Sequence, residues 1–170
     1  TRNDYNTVDV RHILFKVDTT GLDSKAEDYQ AKLEELKAGK KQEAENALQA
    51  WKDGDATEDS FAALANELSD DTGSNTNGGL YEQIYKGQMV TEFNDFCFGE
   101  RKTGDYAIVY GESSAYAGYH LVYFSGENAL YSRIIAENAM RQEDGAAAIN
   151  DLMGDLTPVH ASGWRLVMAG

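Results

Sequence analysis

The order of hydrophobic and polar residues divides the chain into strand-like and helix-like stretches. Residues 7–17, TVDVRHILFKV, are rich in β-branched and apolar side chains and predict a first strand. Residues 80–85 predict a short second strand. Residues 105–111 and 117–126 predict two more, joined by a turn around Glu112–Ala115.

Helical spacing dominates between the first two strands. From Lys25 to Asp53 an apolar stripe recurs every three or four residues, at Tyr29, Leu33, Leu36, Ala44, Ala47, Leu48 and Trp51. The charged segment 37–45 contains Gly39, which indicates either a solvated extension of one helix or a break between two helices. A further helix is predicted from an N-cap at Thr57, with an apolar face at Phe61, Leu64, Ala65 and Leu68.

A short helix is predicted over residues 90–98, VTEFNDFCF. After residue 128 the pattern becomes helical again, and the chain then ends in an extended segment containing its only proline, Pro158. The apolar residues of this last part are too numerous for a solvated tail. We therefore expect residues 127–170 to form a helical and extended appendage.

The length of 170 residues fits one compact domain with an appendage. The formal net charge of −14 repels nucleic acid and acidic membranes, so neither is an expected partner. The single cysteine, Cys97, excludes an intramolecular disulfide and lies in an apolar helix, where we expect a buried, inert thiol. His12, His120 and His160 lack the spacing of metal ligands, and no phosphate-binding glycine loop is present. We expect no metal and no cofactor.

Four segments in one order carry a family resemblance. They are VRHILFKV, FAALANELSDD, GGLYEQIYKGQMVTEF and AGYHLVYF. From about Val8 to Gly126 the chain resembles the parvulin-type (PpiC-like) peptidyl-prolyl cis-trans isomerases, most of all those of secreted bacterial foldases, which are often lipoproteins. The resemblance implies an α+β fold, a four-stranded antiparallel sheet surrounded by helices. It places a prolyl isomerase domain at residues 7–126, followed by the appendage 127–170.

The resemblance also implies a site. His12 and His120 match the paired histidines of the family, and Asp71 matches a position held by Cys or Asp. The residues that match the apolar walls around the substrate proline are Leu80, Met89 and Phe93, with Ile84 joining them. We expect Phe93 to be a partly exposed wall of this cleft and Asp71 to be a solvated loop carboxylate.

Two positions depart from the family pattern. Tyr81 stands where a small glycine is usual, and Ala117 stands where some relatives carry serine. The segment from Leu80 to Met89 is also one residue longer than in the commonest parvulins. These differences narrow or reshape the pocket.

The implied function is isomerisation of X-Pro bonds in unfolded or partly folded exported polypeptides. The location implied is extracytoplasmic, at the cell surface or anchored in the membrane through an N-terminal segment. One alternative is a weakly active or inactive parvulin-like domain that acts as a chaperone or polypeptide-binding module. Another is a structural dimerisation domain built around residues 128–170. The sequence leaves the oligomeric state open.

Overall fold

The computed structural model describes residues 4–141. The strands are β1 (Asn6–Lys16), β2 (Leu80–Ile84), β3 (Tyr106–Glu112) and β4 (Ala117–Leu130). The helices are α1 (Tyr29–Asp53), α2 (Glu58–Leu68) and α3 (Thr91–Cys97), and a further helix covers 131–141. Asn6–Asn128 form one compact unit.

The second unit contains, among the described residues, 4–5 and 129–141. Within its described part, the ring of Tyr5 stacks on that of Tyr131 with centroids 5.2 Å apart. The predicted helix after residue 128 is present over 131–141, whereas the rest of the expected appendage lies outside the described residues.

The four strands form one sheet in the order β2-β1-β4-β3. β1 pairs antiparallel with β2, and β3 pairs antiparallel with β4 from Tyr106↔Tyr123 to Glu112↔Ala117. The end of β1 meets the start of β4, where Val17 N donates to Ala117 O at 2.8 Å. This antiparallel sheet with surrounding helices confirms the predicted α+β, parvulin-like fold.

Both faces of the central strands β1 and β4 are covered, because alternate residues of a strand point in opposite directions. One face packs on α1 and α2 through Ile13, Phe15, Leu121 and Tyr123. The other packs on α3 through Val8, Val10, Val122 and Phe124. His12 and His120 alternate with the first set and therefore lie on the second face.

α1 is a single helix that passes through Gly39 without a break. Its buried residues, Ala44, Ala47 and Trp51, all lie in its second half. The helix is continuous through the charged segment 37–45, so the alternative of two helices is wrong. Trp51 fixes the following turn, since its indole Nε1 donates to Thr57 O at 2.8 Å.

α2 begins at the predicted cap and ends close to β1. Thr57 Oγ1 accepts from Ser60 N at 3.1 Å, and Ser60 Oγ accepts from Thr57 N at 3.0 Å. This reciprocal pair satisfies two backbone donors that the helix leaves free. After the helix, the hydroxyl of Ser69 accepts from Leu14 N and Asp71 N, which holds the following loop against β1.

The Gly78–Gly79 pair leads that loop into β2. Both glycines have positive φ, 74° and 71°. A Cβ on Gly79 would lie 2.2 Å from His12 O and 2.9 Å from Ala65 Cβ. Only glycine lets β2 approach β1 and α2 so closely, and His12 N donates to Gly79 O at 2.9 Å. Among residues 4–141, no helix is both long and apolar enough to cross a membrane.

Candidate active site

Two histidines from the central strands lie side by side at the site. His12 in β1 and His120 in β4 are 2% and 1% exposed. Their Nδ1 atoms are 3.0 Å apart and their rings stack with centroids 5.2 Å apart. The adjacency of β1 and β4 in the sheet is what brings together residues that are far apart in the sequence.

Asp71 forms a hydrogen bond with the His12 ring nitrogen that does not face His120. Its Oδ2 lies 2.8 Å from His12 Nε2 and accepts from the hydroxyls of Ser74 and Tyr81, both at 2.6 Å. Its Oδ1 accepts from Gly73 N at 3.1 Å. The hydrogen bond from His12, with those from Ser74 and Tyr81, holds the pKa of Asp71 well below its usual range. The carboxyl group is therefore ionised at neutral pH.

The ionised Asp71 begins a chain of hydrogen-bonded side chains. A carboxylate only accepts, so His12 donates to it through Nε2. The Nδ1 of His12 forms the next bond, with Nδ1 of His120. The remaining ring nitrogen of His120, Nε2, bonds to the hydroxyl of Tyr116 at 2.7 Å. Each ring nitrogen of the two histidines therefore has a partner.

Burial keeps His120 neutral. Burial and the neighbouring His12 lower the pKa of His120 to about 3. At the other end of the chain, burial and the hydrogen bond to Asp71 raise the pKa of Tyr81 to about 12. At neutral pH Asp71 is therefore ionised, whereas His120 and Tyr81 are uncharged.

A cavity of about 250 Å³ opens above this network. It is lined by His12, Leu14, Lys16, Asp70, Asp71, Thr72, Tyr81, Met89, Tyr116 and His120. Aromatic rings follow one another along it: Tyr81 is 5.0 Å from His12, and Tyr116 is 5.5 Å from His120, measured between centroids. The cavity therefore combines ring surfaces with the half-buried, ionised carboxylate of Asp71.

The profile of the PPIC-type PPIASE domain matches residues 1–127. The chain belongs to this family. No curated protein matches the chain by sequence.

Solved structures with the same fold include two PrsA peptidylprolyl isomerases. The one from Bacillus cereus is 24% identical with a TM-score of 0.50, over 81% of this chain and 42% of its own. The one from Bacillus anthracis is 21% identical with a TM-score of 0.50, over 81% of this chain and 49% of its own. A structure described among the SurA-like chaperones of Campylobacter jejuni is 21% identical with a TM-score of 0.42, over 96% of this chain and 58% of its own. The chain thus spans between 42% and 58% of the length of these proteins.

The structure brings four of the predicted site residues of this parvulin-type domain to one cavity, namely His12, Asp71, Met89 and His120. Phe93 is 0% exposed, so the expectation of a partly exposed wall is wrong. It packs edge-on under both imidazoles, with centroids 5.6 Å from His12 and 5.1 Å from His120. Phe93 lies below the two rings that form the floor of the cavity.

Ile84 and Leu80 also lie away from the cavity. Ile84 is 0% exposed and belongs to the core cluster between the sheet and α3. Leu80 pairs with Arg11, whose side chain points away from the face that carries His12. Tyr81 pairs with Val10, packs against the same core cluster as Val10, and lines the cavity in place of Leu80. Because neighbouring residues of β2 point to opposite faces of the sheet, Tyr81 faces the cavity and Leu80 does not.

Asp71 differs from the solvated loop carboxylate that we expected. One of its oxygens accepts from three side chains, and among these Ser74 is 0% exposed. Removal of this carboxylate would leave buried donors without a partner. The mild effect on folding that a solvated loop carboxylate implies is therefore not expected.

Tyr116 and Ser74 belong to the site, although neither is among the site residues predicted from the sequence. Tyr116 lies four residues before His120, an even spacing that puts both side chains on one face of extended chain. That spacing was the available signal. Ser74 lies in a loop of turn-forming residues, where sequence alone does not distinguish it from its neighbours.

Cys97 takes no part in the site. It is 2% exposed, and burial raises the pKa of its thiol to about 12. Within residues 4–141, no three His, Cys, Asp or Glu side chains are grouped so that they could hold a metal ion.

Proposed function

We propose that the domain is a peptidyl-prolyl cis-trans isomerase that acts on X-Pro bonds of unfolded or partly folded exported polypeptides. One observation carries the proposal. The polar side-chain groups of Tyr81, Asp71, His12, His120 and Tyr116 are hydrogen-bonded to one another in one network. The cavity above it therefore offers a shaped, ring-lined surface and no activated nucleophile. Membership of the PPIC-type family supports this assignment.

Rotation about an X-Pro bond suits such a site, because no covalent bond has to form. The barrier is about 18–20 kcal/mol and arises from amide resonance. The twisted amide has lost that resonance and has a smaller C–O dipole, so water stabilises it less than the planar form. Ring faces and the Met89 side chain replace water around the proline, which favours the twisted state relative to the planar one.

Asp71 adds an electrostatic contribution to the same preference. The oxygen of a planar amide carries partial negative charge, which decreases as the bond twists. If the substrate oxygen lies towards the ionised carboxylate at the cavity wall, the two negative charges repel each other. This repulsion disfavours the planar form more than the twisted form. The bonds from His12, Ser74 and Tyr81 keep the carboxylate ionised and in place.

The test compares the wild-type protein with Asp71→Asn in a protease-free assay, in which exchange NMR measures cis-trans interconversion of an X-Pro peptide. Wild type should accelerate the exchange. Asp71→Asn keeps the size of the side chain but loses the charge, and should reduce the acceleration about 10-fold or more. Asp105→Asn is the control, because Asp105 accepts from Lys102 N in a loop outside the cavity. Absence of acceleration by wild type would contradict the proposal.

A second candidate is a polypeptide-binding module with little catalysis. The cavity of about 250 Å³ is smaller than most ligand pockets, and neither Phe93 nor Ile84 is exposed in it. Saturable binding of X-Pro peptides by wild type without faster exchange would favour this function over isomerisation.

We also propose residues 7–126 as the catalytic domain and 127–170 as the appendage, with an extracytoplasmic location anchored at the cell surface. The compact unit Asn6–Asn128 supports the boundary, and the resemblance to secreted foldases supports the location. A chain ending at Asn128 should keep the rate of peptide isomerisation. Fractionation of the producing cell, with the protein found in the membrane or cell-wall fraction, tests the location.

A further inference from the structure

Tyr116 lies between two cavities. One is the site cavity of about 250 Å³, and the other, of about 610 Å³, extends between the start of α1 and the β3–β4 turn. Tyr116 and Lys16 line both. Lys16 is exposed, whereas Tyr116 is half-buried. The phenol ring is therefore the side chain that separates the two cavities.

Three contacts hold Tyr116 in position. Its hydroxyl forms a hydrogen bond with His120 Nε2 at 2.7 Å, and its ring meets that imidazole edge-on at 80°. Its carbonyl oxygen accepts from Ser113 N at 2.8 Å, which closes the turn before β4. Both the backbone and the ring are therefore fixed, unlike those of a tyrosine at an open surface.

We propose that Tyr116 is a specificity-determining residue, which closes the proline cavity at one end and limits the size of the ring that it accepts. The inference rests on the proposed function. Without the phenol ring, the small cavity would open into the larger one. A cyclic residue larger than proline would then fit, whereas in wild type it would meet the wall that Tyr116 forms.

The experiment uses two peptides that differ by one methylene, one with proline and one with its six-membered homologue, pipecolic acid. Exchange NMR measures the catalysed cis-trans interconversion of each. An additional methylene in a pocket of fixed size changes the rate by about 10-fold or more, so wild type should prefer the prolyl peptide by at least that factor. Tyr116→Ala should reduce the preference to near unity, chiefly by lowering the KM for the pipecolyl peptide.

Two further variants distinguish the steric effect of the Tyr116 ring from the loss of its hydrogen bond and from changes in the larger cavity. Tyr116→Phe loses the bond to His120 but keeps the ring, and should keep the wild-type preference even if its rate falls. Tyr110→Ala removes a ring that lines only the larger cavity, and should also keep it. An unchanged preference in Tyr116→Ala, or an equal loss in Tyr110→Ala, would overturn the inference.

Failure of the proposed function has a different outcome. If wild type accelerates neither peptide, isomerisation is refuted, and the ratio of the two peptide dissociation constants then tests Tyr116. Wild type should bind the prolyl peptide more tightly and Tyr116→Ala should bind both alike. Equal affinity in wild type would overturn the inference.

Discussion

The paired imidazoles of His12 and His120 lie at the centre of the hydrogen-bonded network of the site. Both rings are buried, and each ring nitrogen has a partner. A buried polar chain of this kind holds its members in one geometry because any other arrangement leaves a donor or acceptor unsatisfied. We infer that the histidines position Asp71, Tyr81 and Tyr116 around the substrate.

The neutral state of His120 makes stability depend on pH. Its pKa falls from 6.5 in the unfolded chain to about 3 in the folded one. Between these values the unfolded chain binds a proton that the folded chain does not. The free energy of unfolding should therefore decrease as the pH falls below 6.5, by up to about 1.4 kcal/mol per pH unit, and this contribution is constant above 6.5.

Denaturant melts between about pH 7.5 and about pH 5 measure this slope, a range above the titration of most carboxyl groups. His120→Gln should be less stable than wild type at the upper end, because His12 Nδ1 and Tyr116 lose their partner. Its stability should fall less steeply with pH. Parallel curves for the two proteins would contradict the assignment of the slope to His120.

Phe93 and Met89 should differ in the effects of truncation. Phe93 is 0% exposed, so Phe93→Ala should cost about 3–5 kcal/mol of stability and also reduce the rate, because both imidazoles lose their support. Met89 is half-buried at the cavity wall, so Met89→Ala should cost less than about 2 kcal/mol while still reducing the rate. Denaturant melts and exchange rates of both variants test this difference. A Phe93→Ala variant as stable as wild type would contradict the packing of Phe93 against the two imidazoles.

The loop between α2 and β2 assembles half of the site. It begins at Ser69, which ties it to β1, and carries Asp71 and Ser74 to the edge of His12. It ends at Gly78–Gly79, which lead into β2 and so place Tyr81 opposite Val10. The loop, more than any regular element, determines where the ionised carboxylate of Asp71 lies.

Gly79→Ala should therefore impair both folding and activity. A positive φ costs a non-glycine residue about 1–3 kcal/mol, and here a Cβ would also lie 2.2 Å from His12 O. Gly87→Ala is the matched control: its φ is 87°, yet no atom lies within 4 Å of the added Cβ. Gly87→Ala should show the cost of φ alone, and Gly79→Ala should lose more stability and most of its isomerisation rate. Equal losses would show that the close approach to His12 is unimportant.

The protein carries a strongly negative net charge, and the surroundings of the site are also negatively charged. The net charge is −14, and the site cavity contains the carboxylates of Asp70 and Asp71 against the single ammonium of Lys16. The loop after β1, residues 18–24, contains no basic residue. Such a field favours neutral or basic polypeptides over phosphorylated ones.

A phosphoserine before proline should therefore bring no advantage. Matched peptides with Ser-Pro and phosphoSer-Pro, compared in the exchange assay, should give equal rates or a slower rate for the phosphorylated form. Raising the ionic strength should decrease any such difference, since salt screens the repulsion between exposed charges. Faster turnover of the phosphorylated peptide would contradict this prediction.

Much of the fold and part of the site could be predicted because both depend on local patterns. The alternation along β1 and β4, the cap at Thr57 and the glycine pair are each encoded within a few residues. The positions of Leu80 and Tyr81 could not be predicted in this way, because the two are neighbours and only the register of β2 against β1 decides which faces the cavity.

The sequence by itself determined the elements, the class of fold and four residues that line the cavity, because periodicity, turn residues and a family pattern are properties of the chain alone. The tertiary structure decided burial and direction. It placed Phe93 beneath the imidazoles, brought Asp71 within hydrogen-bonding distance of three donors, and brought the Tyr116 hydroxyl within hydrogen-bonding distance of His120. These outcomes depend on the packing of β1, β4, α3 and the α2–β2 loop against one another, and distances between groups that are remote in sequence exist only once the chain has folded.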